Sequence, residues 1–168
     1  MPGMRRRLRP AAAQPRTVMG LWLRAMLLRQ AEVRKKLSPQ LNGGKIGFNR
    51  DEAGVVQAAC ELAVRRLWGS DYDVRDVSAA VSFMREANLQ QGKEPHGQLE
   101  MEAVIRAALG ETEVDLSGIP RPLAFEIQIV ATGYAARVLA LTEPEVDQLL
   151  MEAERTAFSR GWNPPSAA

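Results

Sequence analysis

Apolar residues recur at helical spacing through most of this chain, and the alternation typical of strands is scarce. Four segments combine helical spacing with a start or a stop signal, such as a capping box at Thr142–Glu145 or a glycine after the last apolar position. These segments predict helices at about 50–68, 73–92, 97–109 and 142–161.

A fifth helical segment, 122–141, is apolar nearly all round. Its apolar residues form two stripes, one of Leu123, Ile127, Val130, Tyr134, Val138 and Leu141, and a second of Phe125, Ile129, Thr132 and Ala136. A helix with this pattern is packed on most of its sides. We therefore expect it to be the central helix.

Together these segments predict an all-α fold, a compact bundle of about five helices around the apolar helix 122–141, with a basic N-terminal helix or arm. The predicted parts are a disordered basic tail (1–16), a basic helix and Gly-rich hinge (17–45), an acidic helical bundle (46–162) and a disordered tail (163–168). The helix from about 17 to 37 is poorly phased, and we expect it to pack loosely or to lie outside. An alternative for residues 1–16 is an over-extended start, with Met4 or Met19 as the initiator.

Composition favours one domain in a reducing compartment. A chain of 168 residues is long enough to bury a core without disulfides, and its single cysteine, Cys60, has no partner for one. No segment approaches the length of apolar residues that spans a bilayer, and no cleavage site follows the apolar run 18–28. We expect a cytoplasmic protein without a transmembrane segment, and we expect no peripheral membrane contact.

Charge is divided sharply along the chain. Residues 1–45 carry a net charge of +10, with Glu32 as their one acid, whereas residues 46–168 carry −8. Such asymmetry indicates a charged partner. Candidate contacts for an anion or a nucleic acid are Arg5, Arg6, Arg7, Arg9, Arg16, Arg24, Arg29, Arg34, Lys35, Lys36 and Lys45. Nucleic acid, a membrane or acidic partner, and the chain's own acidic part are three alternatives that the residues leave open.

The connection from Gly110 to Arg121 is long for a helical bundle, and long loops often carry function. Candidate partner contacts in it are Glu111, Glu113, Asp115 and Arg121. A strap that lies against the bundle is the alternative that we favour.

The chemistry-bearing residues do not assemble a reactive site in the sequence. His96 is the only histidine and precedes a helix, Cys60 falls in the middle of a helix beside Ala59 and Ala63, and Glu126 lies in the most apolar helix. Free cysteines are mostly buried, and two ligands at the spacing of His96 and Glu100 are too few for a metal. We predict no catalytic residues, no metal and no cofactor.

The function predicted from the sequence is that of a non-enzymatic protein-interaction or adaptor module, with a protein partner or self-association. The alternative is a nucleic-acid-associated protein that binds through its basic N-terminal arm. Its arginine density suits phosphate contact, but no helix-turn-helix, zinc-finger or ribonucleoprotein pattern accompanies it.

Overall fold

A computed structural model describes residues 13–44 and 48–167, and the described chain is compact and all-helical. Its helices are α1 (Val18–Leu27), α2 (Ala31–Leu37), α3 (Arg50–Trp68), α4 (Val74–Gln90), α5 (Gln98–Ala108), α6 (Arg121–Val138) and α7 (Glu143–Ser159), with a 3₁₀ segment (Ser38–Gly44) before α3. Within those ranges the β-type pairing is a single isolated bridge between Thr17 and Ser166. The prediction of an all-α fold is confirmed.

Helix boundaries follow the local capping chemistry. The Asn49 side chain accepts a hydrogen bond from the Glu52 amide at 2.9 Å where α3 begins, and Asp73 accepts one from the Arg75 amide where α4 begins. At α7, Thr142 and Glu145 form the predicted capping box. The starts of these helices therefore lie within a residue or two of their predicted positions.

Two apolar clusters make up the core, and α3 contributes to both. Val56, Ala59 and Ala63 belong to a cluster with residues of α1 and α7. Cys60 and Val64, on another face of α3, belong to a cluster with residues of α4, α5 and α6. The central helix is thus α3, and the prediction that segment 122–141 is central was wrong.

Helix α6 packs on α3 through one face of mostly small residues. The fully or nearly buried residues of α6 are Ile127, Ala131, Thr132, Ala135 and Ala136. Apart from Ile127, its larger apolar residues are only partly buried, and Val138 is 52% exposed. Part of the apolar surface of α6, including Ile129, Val130 and Tyr134, is therefore only partly covered by the core.

The N-terminal segment also differs from its prediction. A turn at Arg29 separates α1 from α2, and the φ of Arg29, 57°, lies in the left-handed region. Helix α1 does not pack loosely, because Met19 and Leu23 are fully buried in the core. Helix α2 buries none of its residues and is the part that lies outside.

Both predicted tails are partly ordered where the structure describes them. Pro15 and Pro164 are buried, the Val18 amide donates to the Pro165 carbonyl at 3.0 Å, and the Ala167 amide donates to the Arg16 carbonyl at 2.9 Å. The carboxylate of Glu154 accepts from the Arg16 and Thr17 amides at 3.0 and 2.6 Å. The predictions of disorder for 13–16 and 163–167 are corrected, while residues 1–12 and 168 lie outside the described part.

Candidate interaction cleft

The eleven basic residues singled out in the sequence have different environments. Arg5, Arg6, Arg7, Arg9 and Lys45 lie outside the described residues. Of the other six, one is buried and five are exposed. The buried residue is Arg24, and the exposed ones are Arg16, Arg29, Arg34, Lys35 and Lys36.

Arg24 is part of the fold and is not an anion contact, which corrects its place in the predicted set. Its side chain lies between α1 and α7, where Nε donates to Asp147 Oδ1 at 2.6 Å and an Nη atom donates to Glu143 Oε1 at 2.5 Å. The hydrogen bond to Asp147 is the main cause that raises the pKa of Arg24. At this position the basic segment docks on the chain's own acidic part.

The loop 110–120 is a strap anchored at both sides. Glu111 accepts hydrogen bonds from the Tyr72 hydroxyl and from Arg106 Nε, and the bond from Arg106 is the main cause that lowers the pKa of Glu111. Leu116 and Ile119 pack against the second core cluster. Glu111 therefore serves the fold.

The other three predicted contacts of the strap are exposed. Asp115 accepts from the Ser117 amide at 2.9 Å, and its hydrogen bonds with Ser117 lower its pKa. Arg121 begins α6, and Glu113 lies at the outer side of the strap. Arg121 also lines a cavity of 520 Å³ with Leu116, Ser117 and Ile119 of the strap.

A cleft of 520 Å³ opens on the surface of the bundle, with a floor and two walls. Helix α6 supplies its floor through Ile129, Val130, Gly133 and Tyr134, and α1 with the following turn forms one wall. Helix α4 and the turn after it form the opposite wall, where the ring of Phe83 lies 6.0 Å from that of Tyr134 between centroids. We call this site the α6 cleft. The outer apolar face of α6 is its floor.

Four cationic side chains line the α6 cleft, and each comes from a different segment. Arg29 lies in the turn after α1, Arg34 on α2, Lys93 in the turn after α4, and Arg137 near the end of α6. None of these four forms an ion pair with another described residue, and no described acidic residue lines the cleft. An apolar floor with a positive rim therefore results.

Sequence reasoning missed Lys93, Arg137 and the floor. Arg29 and Arg34 were among the predicted contacts, but their role was assigned to a continuous basic arm. The signal for the floor was that α6 is apolar nearly all round, since a helix with one face on the core does not need apolar residues on its other faces. The structure also leaves space at Gly133, where an added Cβ would meet only Met26 Cε, at 4.0 Å.

Three titratable residues singled out in the sequence, Cys60, His96 and Glu126, lie outside the cleft. Cys60 is fully buried, and desolvation raises its pKa to about 12, so its thiolate is not available near neutral pH. His96 Nε2 lies 3.7 Å from Glu126 Oε2, and the His96 carbonyl accepts a hydrogen bond from Arg85. No group of three or more potential metal ligands is present in residues 13–44 and 48–167.

No family model, curated protein or solved structure matches this chain. None of the helices in the described ranges combines the length and apolarity needed to cross a membrane. The α6 cleft is therefore the observation from which a function is argued.

Proposed function

We propose that this protein is a non-enzymatic protein-interaction module, an adaptor whose binding surface is the α6 cleft. The observation that carries the proposal is the apolar floor bordered by four unpaired cations from four segments. Exposed apolar surface that is rimmed by polar groups is typical of an interaction site. The burial of Cys60 also supports a binding role over a catalytic one.

The extent of the apolar surface favours a protein segment over a small molecule. A volume of 520 Å³ lies within the range of small-molecule sites. However, apolar surface continues beyond the cleft, since Phe83 is 58% exposed at its rim and Val138 is 52% exposed at the end of α6. A small molecule would leave these side chains in water, whereas a protein segment would cover them.

Selection from a random peptide library, with the full-length chain as bait, tests the proposal. The variant Gly133→Leu fills the floor of the cleft, where the structure leaves space around the glycine. Ala79→Leu is the matched control, an exposed alanine on α4 that does not line the cleft. Enriched peptides should bind the wild type and Ala79→Leu alike, and should bind Gly133→Leu at least tenfold more weakly.

Thermal unfolding followed by circular dichroism establishes that both variants are folded. The proposal is wrong if no peptide is enriched, or if the enriched peptides bind Gly133→Leu as tightly as the wild type. In either case the cleft is not a protein-binding surface.

A further inference from the structure

We infer that the occupant of the α6 cleft is an acidic, amphipathic α-helix of a protein partner. This inference rests on the proposed function and adds the chemistry of the partner. Three features support this occupant: the shape of the cleft, its charge and the helix ends beside it.

The walls of the cleft run along opposite sides of α6. Helix α1 contacts α6 on one side, and Phe83 of α4 contacts Tyr134 on the other. A trough with an apolar floor and two walls accommodates a helix that places residues i, i+3, i+4 and i+7 on the floor. Such a face spans about two turns, or roughly 11 Å.

The cations lie on both sides of that floor. Arg29 and Arg34 belong to the wall of α1 and α2, while Lys93 belongs to the wall of α4. A bound helix would present one polar flank to each wall, so acidic residues on both flanks would meet positive charge. Basic residues on those flanks would meet like charge, which opposes binding.

Helix ends give the ordinary reason for basic residues at this place, but they do not account for all of the charge. Helices α1, α4 and α6 end beside the cleft, and each C-terminus carries roughly half a negative charge. Four full positive charges exceed about three half charges. The terminal carbonyls of Met26, Asn88 and Arg137 already accept backbone hydrogen bonds at 3.2, 3.1 and 3.0 Å. The cation side chains therefore remain available for a ligand.

Binding of designed peptides by fluorescence anisotropy tests this inference. The probe is a labelled peptide with leucines at i, i+3, i+4 and i+7 and glutamates on both flanks. The same peptide with lysines for glutamates, and one with a central proline that prevents a helix, are the comparisons. Wild type should bind the acidic peptide at least tenfold more tightly than either comparison peptide, and the bound peptide should be helical by circular dichroism.

A pair of double variants assigns the preference to the cleft. Arg34→Glu/Lys93→Glu reverses one cation on each wall and should weaken binding of the acidic peptide by roughly tenfold or more. Lys35→Glu/Arg155→Glu changes the net charge equally at exposed positions that do not line the cleft, and it should bind like the wild type. Equal weakening in the two double variants would overturn the inference.

The library selection separates failure of the inference from failure of the proposed function. If the enriched peptides require an open cleft but are extended, neutral or basic, the cleft binds protein and the acidic helix is the wrong occupant. If no enriched peptide requires the cleft, the proposed function fails as well.

Discussion

At the scale of single residues, the environment in the fold sets what a charged group does. Glu52 lies in the first turn of α3 with 3% of its surface exposed, and its Oε1 accepts a hydrogen bond from the Asn42 amide at 2.5 Å. Desolvation raises the pKa of Glu52 above its ordinary value of 4.5, and the Asn42 hydrogen bond opposes that change. The folded state thus favours the protonated carboxyl.

Through Glu52, the free energy of unfolding should therefore decrease as the pH rises. Because its pKa is raised in the folded state, the contribution of this group is fully present below pH 4.5 and is lost as the pH rises through the folded pKa. Glu52→Gln keeps an acceptor for Asn42 and removes that dependence. Urea unfolding at several pH values should show the variant gaining stability over the wild type as the pH rises toward 7.

An exposed glutamate gives the control for this prediction. Glu86 lies on α4 with its side chain in solvent, so Glu86→Gln should change the free energy of unfolding by about 0.5 kcal/mol or less. A stability difference for Glu52→Gln that is constant with pH, or that falls as the pH rises, would contradict the prediction.

Sequence alone did not distinguish Arg24 from the exposed arginines. Its partners Glu143 and Asp147 lie more than a hundred positions away along the chain, so the pairing depends on how α1 and α7 pack. Lys93 was missed for a similar reason, since only the fold brings it near Arg29 and Arg34. The count of charged residues along the sequence was therefore correct, but it did not show where the cleft lies.

At the scale of elements, Arg24 of α1 forms ion pairs with Glu143 and Asp147 of α7, and the pair with Asp147 is the buried one. The side chains of Arg24 and Asp147 are 10% and 4% exposed, so removal of one partner leaves the other charge buried. Arg24→Met should lower the free energy of unfolding by about 3–5 kcal/mol. Arg24→Met/Asp147→Leu should recover most of that decrease, because it removes both charges. Denaturant unfolding of the single and double variants measures both effects.

Arg160 and Glu61 form a matched pair at the surface, with an Nη–Oε2 distance of 2.8 Å and 39% exposure of the arginine side chain. Arg160→Met should cost about 1 kcal/mol or less, since solvent screens such a pair. If Arg24→Met costs no more than Arg160→Met, the α1–α7 pair does not have the role assigned to it.

The residues at which helices begin were easier to predict than the way the helices pack against one another. Caps such as Asn49, Asp73 and Thr142 act through neighbouring backbone amides, so local sequence is enough to predict where α3, α4 and α7 begin. The break at Arg29 has no comparable signal, because this non-glycine residue takes a positive φ. The apolarity of α6 was interpreted as burial on all sides, although one side is the floor of a cleft.

At the scale of the whole molecule, the charge split does not divide the chain into two bodies. Helix α1 belongs to the basic segment 1–45 and yet buries Met19 and Leu23 in the core shared with α3 and α7. Removal of residues 1–45 would therefore remove part of the core, and it does not give a clean test of a basic arm. Charge changes on α2, which buries no residues, provide that test.

Duplex DNA should bind the full chain weakly, without sequence preference, and only at low salt. A segment dense in positive charge attracts any polyanion, but screening at about 0.15 M salt is strong. Arg34→Gln/Lys35→Gln/Lys36→Gln should reduce both the affinity at low salt and the dependence of affinity on salt concentration, at roughly 0.9 in log–log slope for each phosphate that the variant no longer neutralises. Filter binding across a salt series measures this. Tight, sequence-selective binding at 0.15 M would make nucleic acid the favoured partner instead.

The hydrogen bond from the Ala167 amide to the Arg16 carbonyl holds two positions near the ends of the described chain side by side. This junction lies at the start of α1, whereas the α6 cleft is lined by Trp22, Met26 and Leu27, roughly 6–14 Å further along that helix by its rise per residue. Two attachment points that lie side by side suit the insertion of this fold into a surface loop of a host protein, and they suit circular permutation. A reporter fused at the junction would leave the cleft open.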